Sequence, residues 1–271
     1  MNERAEALFS LPQRLGARGG RVCVLPEIDS TNSEMRRRLE SGTLPCGQVL
    51  IAREQSRGRG RHGNEFLSGR GGLYLSYYLP LARTAPQCTE ITCAAGVCAS
   101  LAAELVCGAP VGIKWVNDLV LGGKKICGIL TERMPDPPQL PFSRLILGIG
   151  INVASPPFEG ALAASATTLQ DAGYPCDLTE LAAALIQTLD ELAKRFESGE
   201  EAVYFPQYRQ RCVTLGKEIR ILGRDTRGEK TARAVGLTEQ YGLQVVYPDG
   251  EEEILHGGEV RVRGLGGYAD P

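Results

Sequence analysis

The chain has 271 residues, 43% of them hydrophobic and 23% charged, with 30 basic against 32 acidic side chains for a net charge of −2. That length suits one large domain, or a domain of about 200 residues with a small one attached. The near-neutral charge argues against broad electrostatic binding of nucleic acid, and no apolar run of about 18 residues or signal-peptide pattern points to a membrane or an export route.

Residues 1–20 are expected to hold one short helix and a Gly-rich turn, followed by a strand over Arg21–Leu25 that ends at Pro26. Thr31 and Glu34 stand at capping-box spacing and open a helix that Gly42 can end. Gln48–Ala52 and Gly72–Leu79 read as strands. An apolar helix follows over about Cys88–Val106, in which Cys93, Cys98 and Cys107 serve as small buried hydrophobes. Strands are expected at Val111–Val116, Lys125–Glu132 and Arg144–Val153, the last two joined by a proline-rich stretch, Pro135–Pro141. Asp177 begins an amphipathic helix with apolar residues at 181, 185, 189, 192 and 196. Beyond Arg211 come five short strands, Glu218–Leu222, Lys230–Leu237, Gly242–Tyr247, Glu252–Leu255 and Glu259–Arg263, which suggest a small barrel. Hairpin-paired strands with helices on one face indicate an α+β fold with a mixed sheet, not a doubly wound one.

Nine cysteines without a C-x-x-C pair, and only His62 and His256 as histidines, read as reduced cytoplasmic thiols and argue against a structural zinc site. The most informative stretch is Arg53-Glu54-Gln55-Ser56-Arg57-Gly58-Arg59-Gly60-Arg61-His62-Gly63. Its glycines let the backbone turn tightly and bring N–H groups close to an anion. Its arginines are forked donors suited to carboxylate and phosphate oxygens. Residues 53–70 hold five arginines against two glutamates, so positive charge concentrates here. Arg/Gly runs also occur in RNA-binding tails, but this one lies between two apolar strands, as a loop on a rigid scaffold does.

Three further segments carry polar groups at strand ends: Lys114-Trp115-Val116-Asn117-Asp118, Gly122–Leu130 with its lysine pair, and Gly148-Ile149-Gly150-Ile151-Asn152. Singly, each has a plain explanation: a surface Asn-Asp turn, a hairpin with solvated lysines, a bulged strand. Together with Asp29-Ser30-Thr31-Asn32 and the Arg/Gly loop, in this order, they resemble the catalytic core of biotin–protein ligases. Gly236–Val245 and Gly258–Arg263 resemble that family's SH3-like barrel, so the likeness covers roughly residues 21–265.

The resemblance implies a catalytic domain over residues 1–210, of the class II aminoacyl-tRNA synthetase and biotin ligase kind, and an SH3-like barrel over 211–271. It implies that biotin is activated by ATP as biotinyl-5'-AMP and passed to a lysine of a biotin carboxyl carrier protein. Arg61 and Lys125 would be the catalytic cations. Ser30, Thr31, Asn32 and Gln55, with Arg59, Gly60 and Gly128 and the same Arg61 and Lys125, would bind biotin. Gly58, Gly63, Phe66 and Lys114, with Asn117, Asp118 and Asn152, would take ATP. No tightly bound cofactor and no protein metal site are implied; Mg²⁺ would arrive on the ATP phosphates. Val116 stands where the family often has proline, a change of local stiffness. Asn64 and Phe66 replace a basic residue and a tryptophan found in some members. Cys127, beside the ligand loop, would make the enzyme sensitive to alkylating agents.

A lipoate–protein ligase would share the core and the adenylation chemistry, but neither histidine precedes an aspartate as that family's motif requires. A biotin-responsive repressor would need a winged helix, and the 28 residues before Asp29 cannot hold one with the first strand. An exposed sheet edge leaves room for a homodimer.

Overall fold

The computed structural model describes residues 7–42, 44–82, 88–135, 143–154, 158–223, 230–257 and 260–264. Seven strands make one mixed sheet: β1 (Val22–Leu25), β2 (Val49–Ala52), β3 (Leu73–Leu81), β4 (Gly112–Lys114), β5 (Asp118–Leu121), β6 (Lys124–Arg133) and β7 (Ser143–Ile151). Their order is β1-β2-β3-β7-β6-β5-β4. Only β1 and β2 run parallel; the rest pair antiparallel. The expected α+β class and mixed sheet are therefore present. The proline-rich link between β6 and β7 lies mostly outside the described residues.

Side-chain alternation decides where the helices go, because successive strand residues face opposite sides. Val49, Ile51, Leu75, Tyr77, Leu145 and Leu147 point to one side and join the main core. There α3 (Cys88–Cys107) and α5 (Leu178–Ser198) pack. Leu50, Tyr78 and Ile146 point the other way and cluster with Met35 and Leu39 of α2 (Thr31–Ser41). Helices thus cover both faces, not one as expected, since both sides of these strands are apolar. The helix α3 is long and apolar enough to cross a membrane, but 67% of its most apolar window is buried inside the protein, as in a core helix. Within it Cys93 and Cys98 are buried, as expected, while Cys107 is only half-buried.

Short helical turns cover residues 8–21, including α1 (Leu11–Arg14). The sequence reading missed β5, α4 (Ala161–Ser165) and α6 (Tyr204–Arg211). It also overran β4, whose last expected residues form the tight connection into β5. Asp177 caps α5, accepting from the N–H groups of Thr179 at 2.8 Å and Glu180 at 2.9 Å. The expected capping box at Thr31 and Glu34 is absent. Ser30 is the N-cap, Thr31 turns its hydroxyl toward Gln55, and Glu34 pairs with Arg37 and Arg38.

Toward the C-terminus β8 (Glu218–Gly223), β9 (Lys230–Leu237), β10 (Leu243–Val246), β11 (Glu252–Leu255) and β12 (Val260–Gly264) make a small antiparallel sheet in the order β11-β10-β9-β8-β12. Its apolar residues Ile219, Ile221, Ala234, Leu243 and Val245 continue the main core.

Candidate active site

The sheet face that carries α2 loses its bulk toward one end. In register across the strands lie Ser76, Gly148 and Leu130, then Tyr74, Gly150, Gly128 and Asp118. Glycines here make room for neighbours. A Cβ on Gly148 would sit 2.3 Å from the Asn32 amide oxygen, and one on Gly150 would sit 2.6 Å from the Phe66 ring. The paired glycines Gly128 and Gly150 therefore form a flat floor on which Phe66 lies, its ring meeting Tyr74 edge-on. Lys125 holds its ammonium 5.7 Å from the centre of the same ring.

Over this floor is a cavity of about 150 Å³. At the β2–β3 end its wall is polar. The Thr31 backbone N–H donates to the Gln55 side-chain oxygen at 2.7 Å, and the Gln55 amide donates to the Ser68 hydroxyl at 2.8 Å. Ser76 Oγ lies 2.5 Å from Asn32 Oδ1 and 2.8 Å from Thr31 Oγ1. Because Asn32 Oδ1 can only accept, the single Ser76 proton belongs to it. Asn32 then donates to Glu132 at 2.8 Å. Every one of these groups has its partner within the protein, so Thr31, Asn32 and Gln55 are held in place.

The Arg/Gly segment is a small hairpin closed over the cavity. The Gly60 N–H donates to the Asn64 carbonyl at 2.8 Å and the Phe66 N–H to the Gly58 carbonyl at 2.9 Å, and the backbones of Arg59 and Glu65 pair antiparallel. The turn demands left-handed backbone at His62 (φ 57°) and Gly63 (φ 75°). Each cation reaches a different element: Arg59 pairs with Glu132 at 3.0 Å, Arg61 donates to Asn117 at 2.9 Å, and Lys125 pairs with Asp118 at 2.6 Å. Glu132 also takes Arg36 at 3.2 Å.

Of the residues singled out in the sequence, the cavity is lined by Ser30, Thr31, Asn32, Gln55 and Gly128 at its polar and floor sides. Arg59, Gly60, Arg61 and Phe66 come from the hairpin, and Lys114, Asn117, Asp118 and Lys125 from the β4–β6 side. Gly58 and Gly63 do not line it; they line a second recess of the hairpin, which shares Arg59, Gly60, Asn64 and Glu65 with the cavity. Asn152 does not line the cavity; it is buried, and its amide donates to the Thr167 carbonyl at 3.2 Å. Sequence reading missed Tyr74, Trp115, Gly148 and Gly150 as lining residues, and Ser68, Ser76 and Glu132 as the partners that hold Gln55, Thr31 and Asn32. The Gly148-x-Gly150 spacing, with period two on a strand, was the signal for the floor; Glu132 had none.

Cys127 sits beside the cavity in sequence but points into the core and is fully buried, and burial pushes its thiol well above the ordinary cysteine value. The expected alkylation sensitivity at this position is therefore contradicted, because strand alternation turns Cys127 away while Gly128 faces the site. The Trp115–Val116 peptide is cis.

A sequence model of the Biotin/lipoate A/B protein ligase family matches residues 24–152. The bifunctional ligase/repressor BirA of Escherichia coli (strain K12) is 30% identical over 90% of this chain and 75% of its own length. The biotin–[acetyl-CoA-carboxylase] ligase of Mycobacterium tuberculosis is 31% identical over 77% of this chain and 78% of its own. A biotin protein ligase from Aquifex aeolicus, solved in complex with biotin and ATP, superposes with a TM-score of 0.73 at 29% identity, covering 90% of this chain and 98% of that one. The chain belongs to the biotin–protein ligases, and it is a ligase enzyme.

Proposed function

We propose that the protein activates biotin with ATP as biotinyl-5'-AMP and transfers it to a lysine of a biotin carboxyl carrier protein, a subunit or domain of acetyl-CoA carboxylase or a related carboxylase. The observation that carries this reading is the convergence of Arg59, Arg61 and Lys125, from two elements, on one glycine-floored cavity. A biotin carboxylate oxygen attacks the α-phosphorus of ATP and pyrophosphate leaves; the carrier amine then attacks the acyl carbon, AMP leaves and a proton is lost. The first step brings two anions together, and fixed cations offset that repulsion at low cost in reorganisation. Each cation is already held by Glu132, Asn117 or Asp118, so it is oriented before substrate arrives.

Thr31, Asn32, Gln55 and Ser30, with Gly60 and Gly128, suit the uncharged ring system of biotin at the β2–β3 end. Lys114, Asn117, Asp118 and Phe66 suit the nucleotide at the other. In this reading Mg²⁺ arrives on the nucleotide phosphates. We read residues 1–210 as the catalytic unit and 211–271 as an SH3-like barrel, working in the cytoplasm.

The test is pyrophosphate release from Mg²⁺-ATP with biotin, with lipoate and with no acid. Biotin-dependent release is expected, and Lys125→Ala should lower it at least about tenfold, from the loss of one charge-assisted contact. Release with lipoate alone would keep the chemistry and overturn the substrate; silence with both would overturn the reading.

A further inference from the structure

The segment Trp115–Val116 forms one wall of the cavity, and besides a contact from the Cys93 thiol to the Val116 carbonyl its hydrogen bonds reach residues later than 200 in the chain. The Trp115 backbone N–H donates to the Thr214 hydroxyl at 3.0 Å, and its indole N–H donates to the Tyr241 carbonyl at 2.8 Å. The Val116 carbonyl accepts from the Tyr208 hydroxyl at 3.3 Å. A Cβ on Gly257 would sit 3.0 Å from Val116, so that backbone lies directly against it. Tyr241 follows β9 in a left-handed conformation (φ 61°), which a bulky residue adopts only where its surroundings force it. Its ring is wedged edge-on against Phe205 at 5.4 Å and Tyr208 at 5.2 Å. Its N–H donates to the Thr238 carbonyl at 2.9 Å, so the residue sits in a tight turn with its carbonyl facing the indole.

The next two residues hold the cations. Asn117 accepts from Arg61 and is pinned to β6 by its own amide and carbonyl, which meet Ile129 at 3.1 and 2.9 Å. Asp118 pairs with Lys125. We propose that Thr214 and Tyr241 are positioning residues: by clamping Trp115 they fix Asn117 and Asp118, and through these Arg61 and Lys125. The C-terminal sheet is thereby part of the site without lining it. This rests on the reaction proposed above and extends it to residues that the cavity does not contain.

Trp115 is the one tryptophan of the chain, so its fluorescence reports the clamp directly. The experiment compares wild type with Thr214→Val, Thr214→Ser and Trp115→Phe in biotin-dependent pyrophosphate release, measuring kcat, both KM values and Tm, together with tryptophan emission for the three proteins that retain it. The clamped wall stands at the β5 end of the sheet, away from Thr31 and Gln55 at the β2–β3 end. Thr214→Val and Trp115→Phe should therefore raise the KM for ATP about tenfold, the weight of roughly one buried hydrogen bond, with the KM for biotin changed less than about twofold. Thr214→Val should shift the emission, and Thr214→Ser, which keeps the hydroxyl, should restore both. Wild-type kinetics and emission in Thr214→Val would overturn the proposal, as would a uniform loss of activity that follows Tm and is not rescued by serine. A wild type silent with biotin would count against the reaction itself, while the emission of Thr214→Val against Thr214→Ser would still decide the clamp.

Discussion

Replacing Gly148 by alanine places a methyl group where the Asn32 side chain now lies. The added Cβ would be 2.3 Å from Asn32 Oδ1 and 2.8 Å from its Cγ and Nδ2, closer than real contacts allow. Asn32 is buried and held by Ser76 at 2.5 Å and Glu132 at 2.8 Å, so it has no free direction in which to yield. Displacing it loses one neutral hydrogen bond, about 0.5–1.5 kcal/mol, and one to a carboxylate, about 1.5–3 kcal/mol. The sum is about 2–4 kcal/mol, or a fall in Tm on the order of 10 °C for a chain of this size. Gly96→Ala is the matched control. Its Cβ would meet nothing nearer than 3.7 Å, and alanine within α3 should be neutral or stabilising by up to about 1 kcal/mol. Thermal unfolding and biotin titration of the two variants test the argument together. A Gly148→Ala protein that melts within a degree or so of wild type and binds biotin normally would refute the claim that the glycine exists to admit Asn32.

Three other outcomes are expected. The Arg37 guanidinium, bonded to Asp29 at 2.7 and 2.9 Å, holds that carboxyl at about 2, below its ordinary 3.8. A depressed folded-state value means stability that is present above about pH 4 and lost as the pH falls toward 2, so urea melts over that window should lose less stability in Asp29→Asn than in wild type. Alkylation with iodoacetamide should modify the exposed Cys46 well before the buried Cys127, so that Cys46→Ser removes the fastest-labelling site and Cys127→Ala does not. Asp177→Ala, which strips two N–H groups of their cap at the start of α5, should cost about 1 kcal/mol in denaturant melts with no change in either KM.

Periodicity and punctuation carried much of the fold into the sequence. The runs that became β2, β3 and β6 to β11 could be placed because short strand-like stretches stand between glycines, prolines and other turn residues. The loop of Gly58–Gly63 could be recognised because alternating arginine and glycine is chemically unusual between strands. Locally ambiguous signals failed. Thr31 and Glu34 have the right spacing for a capping box, yet Gln55 and the arginines of α2 offer those side chains better partners from elsewhere. The short β5 was hidden because its polar first residue, Asp118, reads as a turn until the strand on either side of it is known.

What the amino-acid sequence determined by itself was the inventory of the site: a cluster of cations and amides in a set order, with no Ser/His/Asp or Cys/His arrangement among them. Which groups meet was decided only by the tertiary structure. Asn32 and Glu132 are 100 residues apart and Trp115 and Tyr241 are 126 apart, yet each pair is joined by a hydrogen bond. Pairings of that kind depend on sheet order and on which face each strand residue presents. Those in turn are set by burying both apolar sides of the sheet at once, a global condition that no local window of sequence contains.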